Sequence, residues 1–172
     1  MKKYELTSEF VTNVFGRKLF RIKALVAFGN VEKGELGGFI EKEKNLSHDG
    51  DAWVADNARV TGNARVTGNA CVTGDATVTG DAWVADNAWV TGNADYAVVK
   101  GFGRYFSATT FFRCKDKIIR AQCGCFYGDL AQFREIVKKT HGDSKYAKEY
   151  LAIADLMELH FSDVDAKQEA SE

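Results

Sequence analysis

Proline is absent from the 172-residue chain, an unusual composition that by itself points to no function. Long apolar runs are missing too, so no segment is suited to cross a membrane as a helix. Charge of one sign is lacking. The 23 basic and 24 acidic residues leave a formal charge of −1, so no global field draws the chain to nucleic acid, and direct nucleic-acid binding is not expected. The opening MKKYELTSEF has two lysines but lacks the apolar stretch of a secretory signal. The dinucleotide fingerprint GxGxxG is absent, and GFGRYF at 101–106 is a fragment without a following helix. Histidine is scarce: His48, His141 and His160 are the three, and none lies between 51 and 96. Four cysteines without a secretory context fit a reduced, cytosolic setting.

What the chain has instead is a period. Valine stands at 54, 60, 66, 72, 78, 84 and 90, with Tyr96 in the next place. Alanine stands two residues before each, at 52, 58, 64, 70, 76, 82, 88 and 94. Residues two apart on an extended strand face the same side. A helix of about 3.6 residues per turn would smear the valines around its axis. Between each valine and the next alanine lies TGN, TGD or ADN. Gly and Asx tolerate the positive φ that a sharp corner needs. Each unit therefore reads as a short flat strand followed by a bend. The chain divides into 1–50, rich in strand-formers and expected to cap the repeat, 51–99, which holds it, 100–161, which begins as strands and ends as helices, and a polar, acidic tail, 162–172, expected to be disordered.

The Val-Thr-Gly-Asn/Asp-Ala unit over 51–96 resembles the hexapeptide repeat of left-handed parallel β-helices. In that family one unit forms one side of a triangular prism and three units form a coil. The resemblance implies a mainly β fold class: a short left-handed parallel β-helix of about two to three coils, with an N-terminal strand cap and a C-terminal α+β cap ending in a helical hairpin. The segments YELT, GRKLFRIKAL, GELGGFIE and GNARV are also similar, in wording and order, to a family of small phage and prophage proteins. CGCFYGDLAQFREIVKKTHGDSKYAKEYL extends that likeness. It implies a place in the cytoplasm of a bacterial host cell and no established activity.

With three units to a coil, positions eighteen apart stack, and the outward residue before each valine is the variable one. Trp53, Cys71 and Trp89 would form one column, Arg59, Thr77 and Asp95 a second, and Arg65 with Trp83 a third. The first is apolar where the surface should face water, and a tryptophan ring buries about 150–250 Å² when covered. Three covers are open: the chain's own C-terminal segment, a partner subunit (hexapeptide proteins are commonly trimers), or a target protein, since Trp and Arg are favoured contact residues. Trp53, Arg59, Arg65, Cys71, Trp83 and Trp89 are therefore the candidate partner-binding or oligomer-interface residues.

Two enzyme classes share the hexapeptide pattern, acyltransferases and zinc-dependent carbonic anhydrases. Both resemblances imply histidines on the prism, as general base or as metal ligands. The repeat has none, and His48, beside Asp49, reads as a solvated or capping residue. Cys114, Cys123, Cys125 and His141 are a chemically valid zinc set, but Cys-Gly-Cys is not the usual knuckle. TTFFRCKDKIIRAQ reads as a hairpin turning at Lys115–Asp116, with the sulfurs as free thiols in a small sheet. Whether the four form a metal site stays open. No catalytic residue, cofactor or metal is assigned. Further on, Asp129 with Gln132 reads as a capping box and Gly142 as a helix stop, with a second helix from near Ser144.

These readings favour a non-enzymatic, phage-type accessory protein that binds and blocks or sequesters a host component. The target would be a host protein or ribonucleoprotein, such as a CRISPR or nucleotide-signalling defence system. A homo-oligomer, dimer or trimer, is expected. The alternatives are an assembly module oligomerising through the repeat, a sponge for a small molecule or nucleotide between subunits, and last a hexapeptide acyltransferase.

Overall fold

Apolar and polar residues alternate near the N-terminus, and a computed structural model, which describes residues 1–162, turns them into antiparallel strands. The tail expected to be disordered lies, after Ser162, outside the described residues. β1 (Tyr4–Thr12) pairs with β2 (Lys18–Ala24). The turn between them is fixed by the Asn13 side-chain oxygen, which accepts the N–H groups of Phe15 and Arg17 at 3.0 and 2.9 Å. β2 pairs with β3 (Leu36–Ile40), which then runs parallel to the repeat, Phe39 opposite Arg59 and Ile40 opposite Val60. Gly37 and Gly38 permit that approach. A Cβ at either would lie 2.5 Å from a carbonyl oxygen, of Val54 and Ala58 respectively.

Each repeat unit yields a two-residue strand: β4 (Trp53–Val54), β5 (Arg59–Val60), β6 (Arg65–Val66), β7 (Cys71–Val72), β8 (Thr77–Val78), β9 (Trp83–Val84) and β10 (Trp89–Val90). They pair in parallel at eighteen-residue spacing: Trp53 with Cys71 and Cys71 with Trp89, Arg59 with Thr77, Arg65 with Trp83. Backbone bonds run from one amide to the carbonyl seventeen residues on, as from Trp53 to Ala70 at 2.9 Å and from Arg65 to Ala82 at 2.8 Å. Every valine and alanine of the lattice from 52 to 90 is buried, and each valine contributes about 1.5–3 kcal/mol on burial. At the corners Gly62, Gly68, Gly74 and Gly80 hold φ between 64° and 69°. Asp56 and Asp86 take the glycine's place in the ADN units at φ 53° and 51°. The Asp56 carboxylate accepts the Thr73 hydroxyl and the Gly74 N–H, which anchors that left-handed residue.

Residues beyond the repeat build an antiparallel sheet of β11 (Tyr96–Val99), β12 (Thr109–Arg113), β13 (Ile119–Cys123) and β14 (Phe126–Asp129). Phe112 faces the valine core, while Phe111 faces a second core with Phe133, Tyr150, Ile153 and Met157. The latter come from α1 (Leu130–His141) and α2 (Lys145–His160). Asp129 and Gln132 close the capping box of α1 at 2.8 and 2.9 Å, and Gly142 ends the helix at φ 57°. No helix among the described residues is long and apolar enough to cross a membrane.

The expected fold class is corrected. The strands lie in four separate sheets, mixed, parallel and antiparallel, and no single left-handed parallel β-helix solenoid is formed, although the molecule is mainly β. One sheet has order β1-β2-β3-β5-β8, the others β10-β7-β4, β6-β9 and β11-β12-β13-β14. The N-terminal strands do not sit as a separate layer over the repeat. β3 enters it, so one of its faces continues as an antiparallel sheet while the others do not.

Lys3 pins the N-terminus to the first unit. It is 3% exposed, donates from Nζ to the carbonyls of Gly50 and Ala52 at 3.0 and 2.8 Å, and lies over the Phe28 ring. Burial lowers its pKa to about 8, against the pull of Asp51 and Asp49.

The corners give a direct test of the backbone geometry. Gly68→Ala and Gly80→Ala each place a Cβ on a left-handed residue, at a cost of about 1 kcal/mol. Only at 68 does that Cβ also strike backbone, 2.7 Å from the Asp86 nitrogen; at 80 nothing lies within 4 Å. Urea denaturation is expected to find Gly80→Ala about 1 kcal/mol and Gly68→Ala about 3 kcal/mol less stable than the parent.

Candidate functional site

The parallel register assembles the first outward column in the β10-β7-β4 sheet, but its three members meet different surroundings. Trp53 is 4% exposed. Phe28 meets it edge-on at 5.4 Å between ring centroids and Tyr4 at 6.5 Å. The cover is thus the chain's own N-terminal part and not its C-terminal segment. Cys71 is half-buried, and Trp89 at the other end is 46% exposed. Above them lies a groove of about 710 Å³. Asn30, Glu35 and Asp51 line it, together with Asn69 and Asn87 and with Lys115 from the β12–β13 turn. Lys115 is strapped there by its backbone N–H to the Asn87 carbonyl at 3.0 Å and its ammonium to the Asn69 carbonyl at 3.2 Å. Burial raises the Cys71 pKa, and the nearby Lys115 charge only partly opposes it. The sulfur is therefore a neutral thiol at pH 7, suited to contact more than to attack. An exposed indole face, amides, one ammonium and the carboxylates of Glu35 and Asp51 equip the groove to hold a partly apolar, hydrogen-bonding partner.

The other columns lie elsewhere. Arg59 is exposed in the five-stranded sheet, between Phe39 and Thr77. Asp95 does not join them. The chain leaves the repeat in a single turn at Asn93–Asp95, where the Asp95 carboxylate accepts the Thr91 N–H and hydroxyl and pairs with Arg113. Tyr96 reaches back instead and donates its hydroxyl to the Thr77 carbonyl at 2.7 Å. Arg65 and Trp83 do meet: the guanidinium lies over the indole at 4.1 Å, beside a second cavity.

The histidines and cysteines are dispersed. His48 stacks on Tyr4 at 4.3 Å and accepts the Lys3 N–H at Nδ1; desolvation lowers its pKa. It is a half-buried packing residue rather than a solvated one. Cys114 is buried, Cys123 is half-buried and hydrogen-bonded by the Thr109 hydroxyl, Cys125 is exposed, and His141 stacks on Tyr150. Among the described residues no three His, Cys, Asp or Glu side chains gather as a metal set.

Sequence reasoning missed the groove's polar rim. Asn69 and Asn87 stand eighteen apart, so the period itself could have put them at one corner. Lys115 and Asn30 carried no such signal, because long-range packing places them. No protein-family model and no curated protein matches this chain, so the geometry carries the functional reading.

The two ends of the column separate stability from contact. Trp53→Ala empties a buried site and is expected to cost about 3–5 kcal/mol. Trp89→Ala should stay within about 1 kcal/mol of the parent. Thermal or urea unfolding of the two variants checks this, and leaves Trp89→Ala as the usable probe of binding.

Proposed function

We propose that this protein acts by contact, as a non-enzymatic, phage-type accessory protein that binds and blocks or sequesters a component of a bacterial host. The observation that carries the reading is the groove over Cys71 and Trp89, an exposed indole beside a hydrogen-bonding rim on a rigidly registered sheet. An exposed tryptophan lining a groove is the kind of group that dominates binding energy at protein interfaces. Lys115, held by two backbone carbonyls, and the carboxylates of Glu35 and Asp51 give the rim charges of both signs, which favours a polar partner surface over one of a single charge.

The class of target, a host anti-phage defence protein or ribonucleoprotein reached in the cytoplasm, rests on the likeness of YELT, GRKLFRIKAL and GELGGFIE to small phage and prophage proteins. It is an inference from likeness, separate from the groove.

The test is capture from bacterial lysate on the immobilised full-length chain, with Trp89→Ala and Arg59→Gln chains in parallel and mass spectrometry of what each retains. A host protein held by the parent and by Arg59→Gln but lost from Trp89→Ala is the expected result. Retention unchanged by Trp89→Ala would remove the groove from the binding site.

A further inference from the structure

We propose that the cavity beside Arg65 and Trp83 is a binding site for the phosphate group of a small phosphorylated ligand, distinct from the Trp89 groove. The cavity measures about 430 Å³, within the range of small-molecule sites. It is built from both halves of the chain: Arg65, Asp81 and Trp83 come from the repeat, and Lys100, Thr110 and Gln122 from the C-terminal part.

The tryptophan is fixed from two sides. Its Nε1 donates to the Thr67 hydroxyl at 2.8 Å, and its backbone N–H donates to the Thr110 hydroxyl at 2.9 Å. Thr110 is 1% exposed, so this second anchor belongs to the interior of β12. The Arg65 guanidinium carbon lies over the indole, 4.1 Å from the ring centroid. A guanidinium held against a ring face is a planar, always-charged donor that loses little freedom on binding a further partner. Its fork of N–H donors matches two oxygens of one oxyanion. No carboxylate takes that role: among the described residues Arg65 has no ion-pair partner.

The nearest acid is already engaged. Asp81 pairs with the Lys100 ammonium and accepts the Asn63 amide at 3.2 Å, and these bonds, Lys100 foremost, hold its carboxyl below the usual range. With Asp81 and Lys100 balancing each other, the lining keeps the charge of Arg65. Lys100 and the Ser107 hydroxyl supply further donors, and Gln122, 7% exposed, forms a polar wall. An acceptor with more than two oxygens uses such a site better than a carboxylate does. The volume also exceeds that of a bare ion, which leaves room for the sugar or nucleoside that carries the phosphate.

The test is calorimetric titration of the full chain at low ionic strength with inorganic phosphate, ribose 5-phosphate and adenosine monophosphate, with acetate and ribose as controls. Saturable binding of at least one phosphate probe is expected, and the tightest of the three identifies the source of the phosphate. Arg65→Gln should weaken it tenfold or more, Arg65→Lys less, and Arg59→Gln, an exposed arginine on another face, not at all. Arg65 is exposed, so its replacement leaves the valine core in place. The proposal is overturned if no phosphate probe saturates, if acetate binds as tightly, or if Arg65→Gln binds like the parent. Trp89→Ala, the probe of the groove, should leave phosphate binding unchanged, so either site can fail without the other.

Discussion

The backbone hydrogen bond between an amide and the carbonyl seventeen residues on holds the rest of this structure together. Strands of two residues have almost no stability of their own. They persist because each unit's amides are satisfied by the unit three places along, Trp53 by Ala70, Cys71 by Ala88, Arg65 by Ala82. That same spacing stacks valine on valine inside, and outside it puts Trp53, Cys71 and Trp89 in one line and Arg65 above Trp83. The corners make it possible, since a glycine or an aspartate turns left-handed at each from Asp56 to Asp86.

The buried lattice and the stacking of Trp53, Cys71 and Trp89 and of Arg65 and Trp83 were legible in the sequence, because the six-residue period puts valine and alanine on one side; the place of Asp95 was not. The capping pair Asp129 and Gln132 was legible for a similar reason: its signal is local. The sheet architecture was not. A period reports which side chains share a face but not which foreign strand extends that face. Here β3 joins β5 through Phe39 and Ile40, twenty residues away in sequence, and makes that sheet mixed. The cover of Trp53 was hidden likewise, since it depends on Tyr4 and Phe28 reaching back over the first unit. Of the candidate residues, Trp53 became core, Trp89 and Cys71 floor a groove, Arg65 and Trp83 form a stacked pair, and Arg59 stands apart.

Two faces of one scaffold thus carry different chemistry. The first joins an exposed indole to asparagine amides and a strapped lysine, which suits a broad contact. The second holds a guanidinium over an indole beside a smaller cavity, which suits an oxyanion. In both, residues from beyond the repeat complete what the repeat begins: Lys115 in one, Lys100 and Gln122 in the other. The repeat supplies rigid placement, the tryptophans and Arg65, and the non-repeating chain supplies the lysines.

Both faces stand on the seventeen-residue hydrogen bonds, and these can be measured one by one. Scalar couplings across hydrogen bonds, recorded by nuclear magnetic resonance on isotope-labelled protein, should link the amide nitrogens of Trp53, Arg65 and Cys71 to the carbonyl carbons of Ala70, Ala82 and Ala88. Couplings from these amides to any other carbonyls, or rapid exchange of these amides with solvent, would contradict the register that places the groove and the cavity.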